Sequence, residues 1–166
     1  MMLLRKRNAA FTFELKPGER ILLLKLLRQY PLTPLSHHKI AHGAVTGKRA
    51  GEQQLLEEAM AAHQQALRQQ VQDLLAPGRR FTKFGDQYHL TLREAEIEWL
   101  LQVLNDVRVG CWVQLGCPEH EQLNELRQTN ADANLLMEMA VLFQMVLLSA
   151  LHPDDESPLD DESDVP

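Results

Sequence analysis

The amino-acid sequence predicts a mainly α-helical protein, a single helical-bundle domain with a short two-stranded β-ribbon. Its 166 residues suit one domain of ordinary size. They include 30 Leu against 12 Val and Ile together, and Leu favours helices whereas β-branched residues favour strands. Apolar residues recur with the helical period along much of the chain, and they alternate with polar residues in two short segments near 11–15 and 88–92.

Charge divides the chain into a basic front and an acidic end. Residues 1–51 carry ten Lys and Arg against two carboxylates, while residues 152–166 carry seven carboxylates and no Lys or Arg. We therefore expect a helical domain over 1–151 and a disordered acidic tail over 152–166. The two Cys and the absence of a signal-peptide pattern predict a reducing, cytoplasmic compartment. The apolar stretch 139–151 is shorter than the roughly 20 residues that span a membrane, so we expect no membrane contact.

The two alternating segments are each followed by the signals of a helix start. Residues 11–15 precede Pro17 and Glu19, which suit the first turn of a helix, and the same pattern returns 77 residues later around 88–92. We expect the two strands to pair, because a lone strand leaves its backbone groups unsatisfied. The recurrence has two explanations: an internal duplication, or two short segments that obey the same helix-start rules.

The remaining segments are interpreted from their period and their Pro and Gly residues. Residues 31–51 show no sustained period and predict a long loop. The amphipathic helix predicted over 52–76 carries His63 on its apolar stripe, which predicts a core histidine. Thr91 and Glu94 form a capping-box pattern that opens a buried helix ending at Gly116. A polar helix over 118–128 and a very apolar helix ending near Leu151 follow.

Residues 90–116, LTLREAEIEWLLQVLNDVRVGCWVQLG, resemble the signature segment of a bacterial family, domain-of-unknown-function family two thousand and seventeen. The shared elements are a Leu-Thr-x-x-Glu-Ala-Glu opening, Trp-Leu, Leu-Asn-Asp-x-Arg and a closing Leu-Gly. The first 30 residues resemble the family in a weaker way. The His-rich segment 36–42 and the acidic tail depart from it.

The resemblance implies a mostly helical bacterial cytoplasmic protein and no established activity. Family members tend to be encoded near the ClpS protease adaptor and near a zinc-dependent isopeptidase with its sulfur-carrier partner. The resemblance thus suggests a role in regulated proteolysis, by association rather than by physical argument.

Polar residues inside a helix that is expected to be buried are the first candidate site. Asn105, Arg108 and Trp112 share one flank of this helix at 100° per residue, and Asp106 lies on another. They form either a structural network or a polar groove that binds a peptide or small ligand.

A buried Arg108 needs a carboxylate from elsewhere, for which Glu138 and then Asp132 are the candidates. If such a pair is buried, Arg108→Ala is expected to destabilise the fold by about 3–5 kcal/mol.

The basic segment with His37, His38 and His42 is the second candidate. It is interpreted as a solvated loop, with metal binding or phosphate contact as alternatives, but no carboxylate or Cys completes a metal site nearby. We therefore expect no metal and no cofactor. Cys117 at a helix start is the one thiol considered as a nucleophile, and capping or packing is its other interpretation.

No complete catalytic motif is present, so the sequence favours a non-enzymatic interaction or regulatory protein with a protein partner. The alternative is a nucleic-acid-associated regulator that uses the basic N-terminal region, although no aromatic platform for base stacking is evident beside the basic residues. An enzyme of unknown type is the third hypothesis. Phosphate binding would weaken steeply with salt, whereas binding of a peptide in a groove would not.

Overall fold

A computed structural model of the protein describes residues 1–33, 48–76, 80–118 and 130–152. These residues form four strands and four helices in an α+β fold, and the strands make one antiparallel sheet in the order β1-β2-β4-β3. Along the chain the elements are β1 (Met2–Arg7), β2 (Ala10–Leu15), α1 (Pro17–Gln29), α2 (Lys48–Leu75), β3 (Phe81–Phe84), β4 (Gln87–Arg93), α3 (Glu94–Gln114) and α4 (Ala131–Leu151).

The prediction of a helical bundle with a two-stranded ribbon is wrong. The two predicted strands do lie side by side, with Phe13 opposite Leu90, but they are the inner pair of a four-stranded sheet. Each inner strand has an outer partner on its far edge, β1 beside β2 and β3 beside β4. The outer strands were missed because most of their side chains are exposed, so neither shows the alternation of a half-buried strand.

The inner strands bury one face of the sheet under the helices. The apolar residues of β2 and β4 that are at most 1% exposed all project from this face: Phe11, Phe13, Leu15, Leu90 and Leu92. They share a core with buried residues of all four helices. Thr91 and Arg93 alternate with these residues and are exposed. The sheet therefore has one face in the core and one outer face toward solvent.

The two halves of the molecule repeat one another. In the described residues each half contains a hairpin followed by two helices, and α3 begins 77 residues after α1. In both helices an acid of the first turn accepts a hydrogen bond from the backbone N–H of the residue before the helix, Lys16 to Glu19 at 2.7 Å and Arg93 to Glu96 at 2.8 Å. The predicted capping box of Thr91 with Glu94 is therefore wrong by two residues. This arrangement favours an internal duplication over coincidence.

The helices differ from their predicted bounds mainly at α2, which begins at Lys48, inside the predicted loop 31–51. Its buried residues lie toward its C-terminal end: Leu67, Val71 and Leu74. Residues 34–47, the predicted polar helix from 119 onward and the acidic tail from 153 onward lie outside the described residues.

In the described part of the chain, one helix, α4, is long and apolar enough to span a membrane by length and composition alone. The apolar stretch 139–151, too short by itself to span a membrane, is the C-terminal part of this helix, which begins at Ala131. Core helices of soluble proteins meet the same criterion, and six residues of α4 are buried inside the protein. A second set of its side chains is apolar and exposed: Leu135, Val141, Leu142, Met145 and Leu148.

Candidate functional site

A cavity of about 520 Å³ opens between α2, α3 and the segment that follows α1. Its volume falls within the range of roughly 300–1,000 Å³ found for ligand pockets. The residues that line it are Tyr30, Thr33, Ala59, Met60, His63, Gln64, Leu67, Gln102, Asn105, Asp106 and Val109. The two halves differ beside the cavity. The helix α4 packs along α3, whereas α2 is buried mainly near its C-terminal end.

Asp106 builds one wall of the cavity by holding the segment after α1 against α3. Its Oδ1 accepts hydrogen bonds from the backbone N–H of Leu32 at 2.8 Å and of Thr33 at 3.3 Å. The Thr33 hydroxyl donates in turn to the backbone carbonyl of Asp106 at 3.2 Å. The Leu32 side chain lies against Gly110, where an added Cβ would come within 2.6 Å of the Leu32 Cγ. The polar residue predicted as part of a site is thus also a structural anchor.

Tyr30 places a phenol at the same wall. Burial, together with the nearby Asp106 carboxylate and against an opposing effect of Arg68, raises the pKa of Tyr30 to about 12. The phenol is therefore un-ionised at neutral pH and can donate or accept a hydrogen bond in the cavity.

His63 and Gln102 join the two helices beside the cavity, with 3.0 Å between His63 Nε2 and Gln102 Oε1. His63 is exposed, so the interpretation of this residue as a core histidine is wrong. Gln102 was not predicted as a site residue, nor were Tyr30 and Thr33. They come from separate segments, and nothing in their local sequence indicates that they meet.

Arg108 and Trp112 line a smaller cavity of about 290 Å³ with Val109 and Met137. Val109 also lines the larger cavity, so the two lie on neighbouring sides of α3. The Arg108 guanidinium donates to Asn105 Oδ1 at 2.8 Å. Trp112 is 41% exposed. The predicted group therefore divides, with Asn105 and Asp106 on one cavity and Arg108 and Trp112 on the other.

Among the described residues, no ion pair joins Arg108 to either of the two predicted carboxylates. Asp132 pairs with Lys25 at 3.2 Å, and Glu138 accepts a hydrogen bond from Asn134 Nδ2 at 3.1 Å. Arg108 is half-buried rather than buried. The expected loss of 3–5 kcal/mol on Arg108→Ala assumed a buried ion pair and therefore does not apply.

The other predicted candidates contribute no further site to the part of the chain that the structure describes. His37, His38 and His42 lie outside it. Within it, no group of three or more His, Cys, Asp or Glu is placed to hold a metal ion. Cys117 is exposed just beyond α3 with φ of 57°, and burial raises the pKa of the Cys111 thiol.

Comparison with known proteins finds no match. No family model, curated protein or solved structure matches the chain. The resemblance of residues 90–116 to a bacterial family of unknown function stays a prediction, and arguments about function depend on the geometry of the cavity and of the surface.

Proposed function

We propose that this protein is a non-enzymatic interaction protein whose cavity between α2 and α3 receives a peptide segment of a protein partner. The observation that carries the proposal is the composition of the cavity. Met60, Leu67 and Val109 supply an apolar side, and polar groups from three separate segments surround it. Such a mixture suits a buried apolar side chain with hydrogen bonds to its flanking amides.

The polar residues of the cavity indicate which groups the ligand carries. Asn105 and Gln102 each offer a donor and an acceptor, as a peptide amide requires. Among the described residues that line the cavity, Asp106 is the one carboxylate and none is Lys or Arg. An anionic side chain is therefore disfavoured, and we expect a neutral or basic peptide with an apolar anchor residue.

The cellular role that we propose is that of a regulator or adaptor in protein turnover. This part of the proposal rests on the resemblance of residues 90–116 to a family whose members tend to be encoded near the ClpS protease adaptor. The partner would then be a component or a substrate of a proteolytic system.

The test fills the cavity without changing Asp106 or Thr33, which hold its wall in place. Ala59 lines the cavity and is exposed on α2, so Ala59→Phe should occupy the space of the anchor side chain. Ala62→Phe is the matched control, because Ala62 is exposed on the same helix and does not line the cavity. Peptides enriched by the wild-type chain from a displayed random library are measured by fluorescence anisotropy. We expect at least tenfold weaker binding for Ala59→Phe and an unchanged Kd for Ala62→Phe.

Two results would contradict the proposal. One is a library from which the folded protein enriches no peptide. The other is a set of enriched peptides that the two variants bind with the same Kd, which would place the binding surface elsewhere. Circular dichroism of both variants confirms that neither substitution unfolds the chain.

A further inference from the structure

We propose that the outer face of the sheet, opposite the helices, binds single-stranded nucleic acid. This surface is separate from the cavity between α2 and α3, and the inference does not depend on the proposed function. It rests on two features of the outer face: exposed arginines at one end and an exposed aromatic ring at the other.

Three arginines converge at one end of the outer face. Arg7 pairs with Ala10 in the sheet, and Ala10 pairs in turn with Arg93, so the two arginines flank a small residue. Adjacent strands are about 4.8 Å apart, which places the Cα atoms of Arg7 and Arg93 about 10 Å from each other. Arg5 projects from the same face two residues along, opposite Thr12.

These arginines are available to a ligand. Arg5, Arg7 and Arg93 are all exposed, and none of them has a carboxylate of a described residue within 4.0 Å, although Arg93 lies near enough to Glu96 to lower the pKa of that carboxyl. The small side chain of Ala10 leaves room between two of the guanidinium groups. Guanidinium groups in such a cluster bind phosphate oxygens well, because each can donate two parallel hydrogen bonds.

The other end of the outer face carries an aromatic platform. Phe84 is 69% exposed, and its ring stacks on that of His89 with 5.1 Å between centroids and 20° between planes. His89 also faces Glu14, with 3.7 Å between Nε2 and Oε2. The sequence alone does not indicate this stacked pair, because Phe84 and His89 lie on two different strands.

Charge and stacking together favour a single strand of nucleic acid over other anions. From Gln87, beside Phe84, to Arg93 the strand β4 extends roughly 20 Å, a length that several nucleotides cover. A single strand offers unstacked bases to an aromatic ring and phosphates to the arginines, whereas a duplex keeps its bases stacked inside. The acidic segment 152–166 matches the arginines in charge but contains no Phe, Tyr or Trp to stack on Phe84.

The test measures binding of fluorescein-labelled dT12 to the full chain by anisotropy at 50 mM and 200 mM salt. We expect Phe84→Ala to weaken binding about tenfold and Arg7→Gln to weaken it about fivefold. We also expect Arg7→Gln to reduce the slope of log K against log salt by about 0.7. Lys6→Gln is the matched control, since Lys6 is the neighbour of Arg7 on β1 but lies over the Phe11 ring on the other face of the sheet.

Because Phe84, Arg7 and Lys6 are exposed, the variants are expected to fold, and their thermal midpoints are compared with that of the wild type. Absence of dT12 binding at 50 mM salt would overturn the proposal. So would an equal loss for Lys6→Gln and Arg7→Gln with no effect of Phe84→Ala, because binding would then reflect net charge alone. The cavity variant Ala59→Phe should leave dT12 binding unchanged, which keeps this test independent of the proposed function.

Discussion

Gly110 is the residue at which the segment after α1 makes its closest approach to α3. A Cβ there would lie 2.6, 2.7 and 2.9 Å from the Cγ, Cβ and Cδ2 of Leu32. Leu32 has little freedom to withdraw, because its backbone N–H is bound to Asp106. We therefore expect Gly110→Ala to reduce the free energy of unfolding by about 1–3 kcal/mol.

Gly51→Ala is the control, since Gly51 lies in α2 with nothing within 4 Å of the added Cβ. Alanine is the better helix former, so this variant is expected to gain about 0.5–1 kcal/mol. Urea unfolding at pH 7 measures both changes. Equal effects of the two substitutions would mean that Leu32 does not pack on Gly110.

Part of the candidate site could be predicted from single residues. Asn105 and Asp106 stood out as polar residues in an apolar helix, and both line the larger cavity. Tyr30, Thr33 and Gln102 could not be found in this way, because their role depends on which segments meet in the folded chain. The predicted carboxylate partner of Arg108 is not seen among the described residues, where Arg108 is half-buried and donates to Asn105 instead.

At the scale of elements, the acidic residue at the start of α3 makes the free energy of unfolding depend on pH. Burial raises the pKa of Glu96, but hydrogen bonds from the Arg93 backbone and from Arg80 outweigh it and hold this pKa below its ordinary value of 4.5. A depressed carboxyl pKa contributes stability above the unfolded value, and this contribution is lost as pH falls through the folded value. We expect Glu96→Gln to be less stable than the wild type at pH 7 and the difference to shrink below pH 4.5.

Thermal midpoints between pH 7 and pH 3 measure this difference. Glu98→Gln is a matched control, because Glu98 is an exposed acid on the same helix, and we expect it to alter the midpoint little. A gap between Glu96→Gln and the wild type that stays constant down to pH 3 would argue against the hydrogen bonds to Glu96.

The predictability of the elements follows their burial. The strands β2 and β4 alternate between core and solvent, so their sequence reveals them, and the helices α1 and α3 follow recognisable start signals. The strands β1 and β3 pair at the edges and bury little, so backbone hydrogen bonding rather than side-chain pattern determines them. The fold class was wrong because these two strands convert a ribbon into a sheet.

At the scale of the whole molecule, the two repeats share one sheet and one core. The strands β2 and β4 come from different halves and bury their inner faces together. We therefore expect backbone amides of both strands to exchange with solvent only through global unfolding, with the same free energy of opening. Native-state hydrogen exchange in low urea measures this, and a distinctly lower opening energy for β2 than for β4 would indicate that the halves unfold separately.

Phe13 and Leu90 are counterparts in the two repeats, 77 residues apart, and they also pair with each other in the sheet. A residue meets its own counterpart only on a two-fold axis. The pairing therefore has the geometry of an isologous homodimer interface, in which the residue on the axis contacts its own copy. Joining two copies in one polypeptide frees each side of that interface to change alone, and α2 and α4 have diverged in how much of their length they bury.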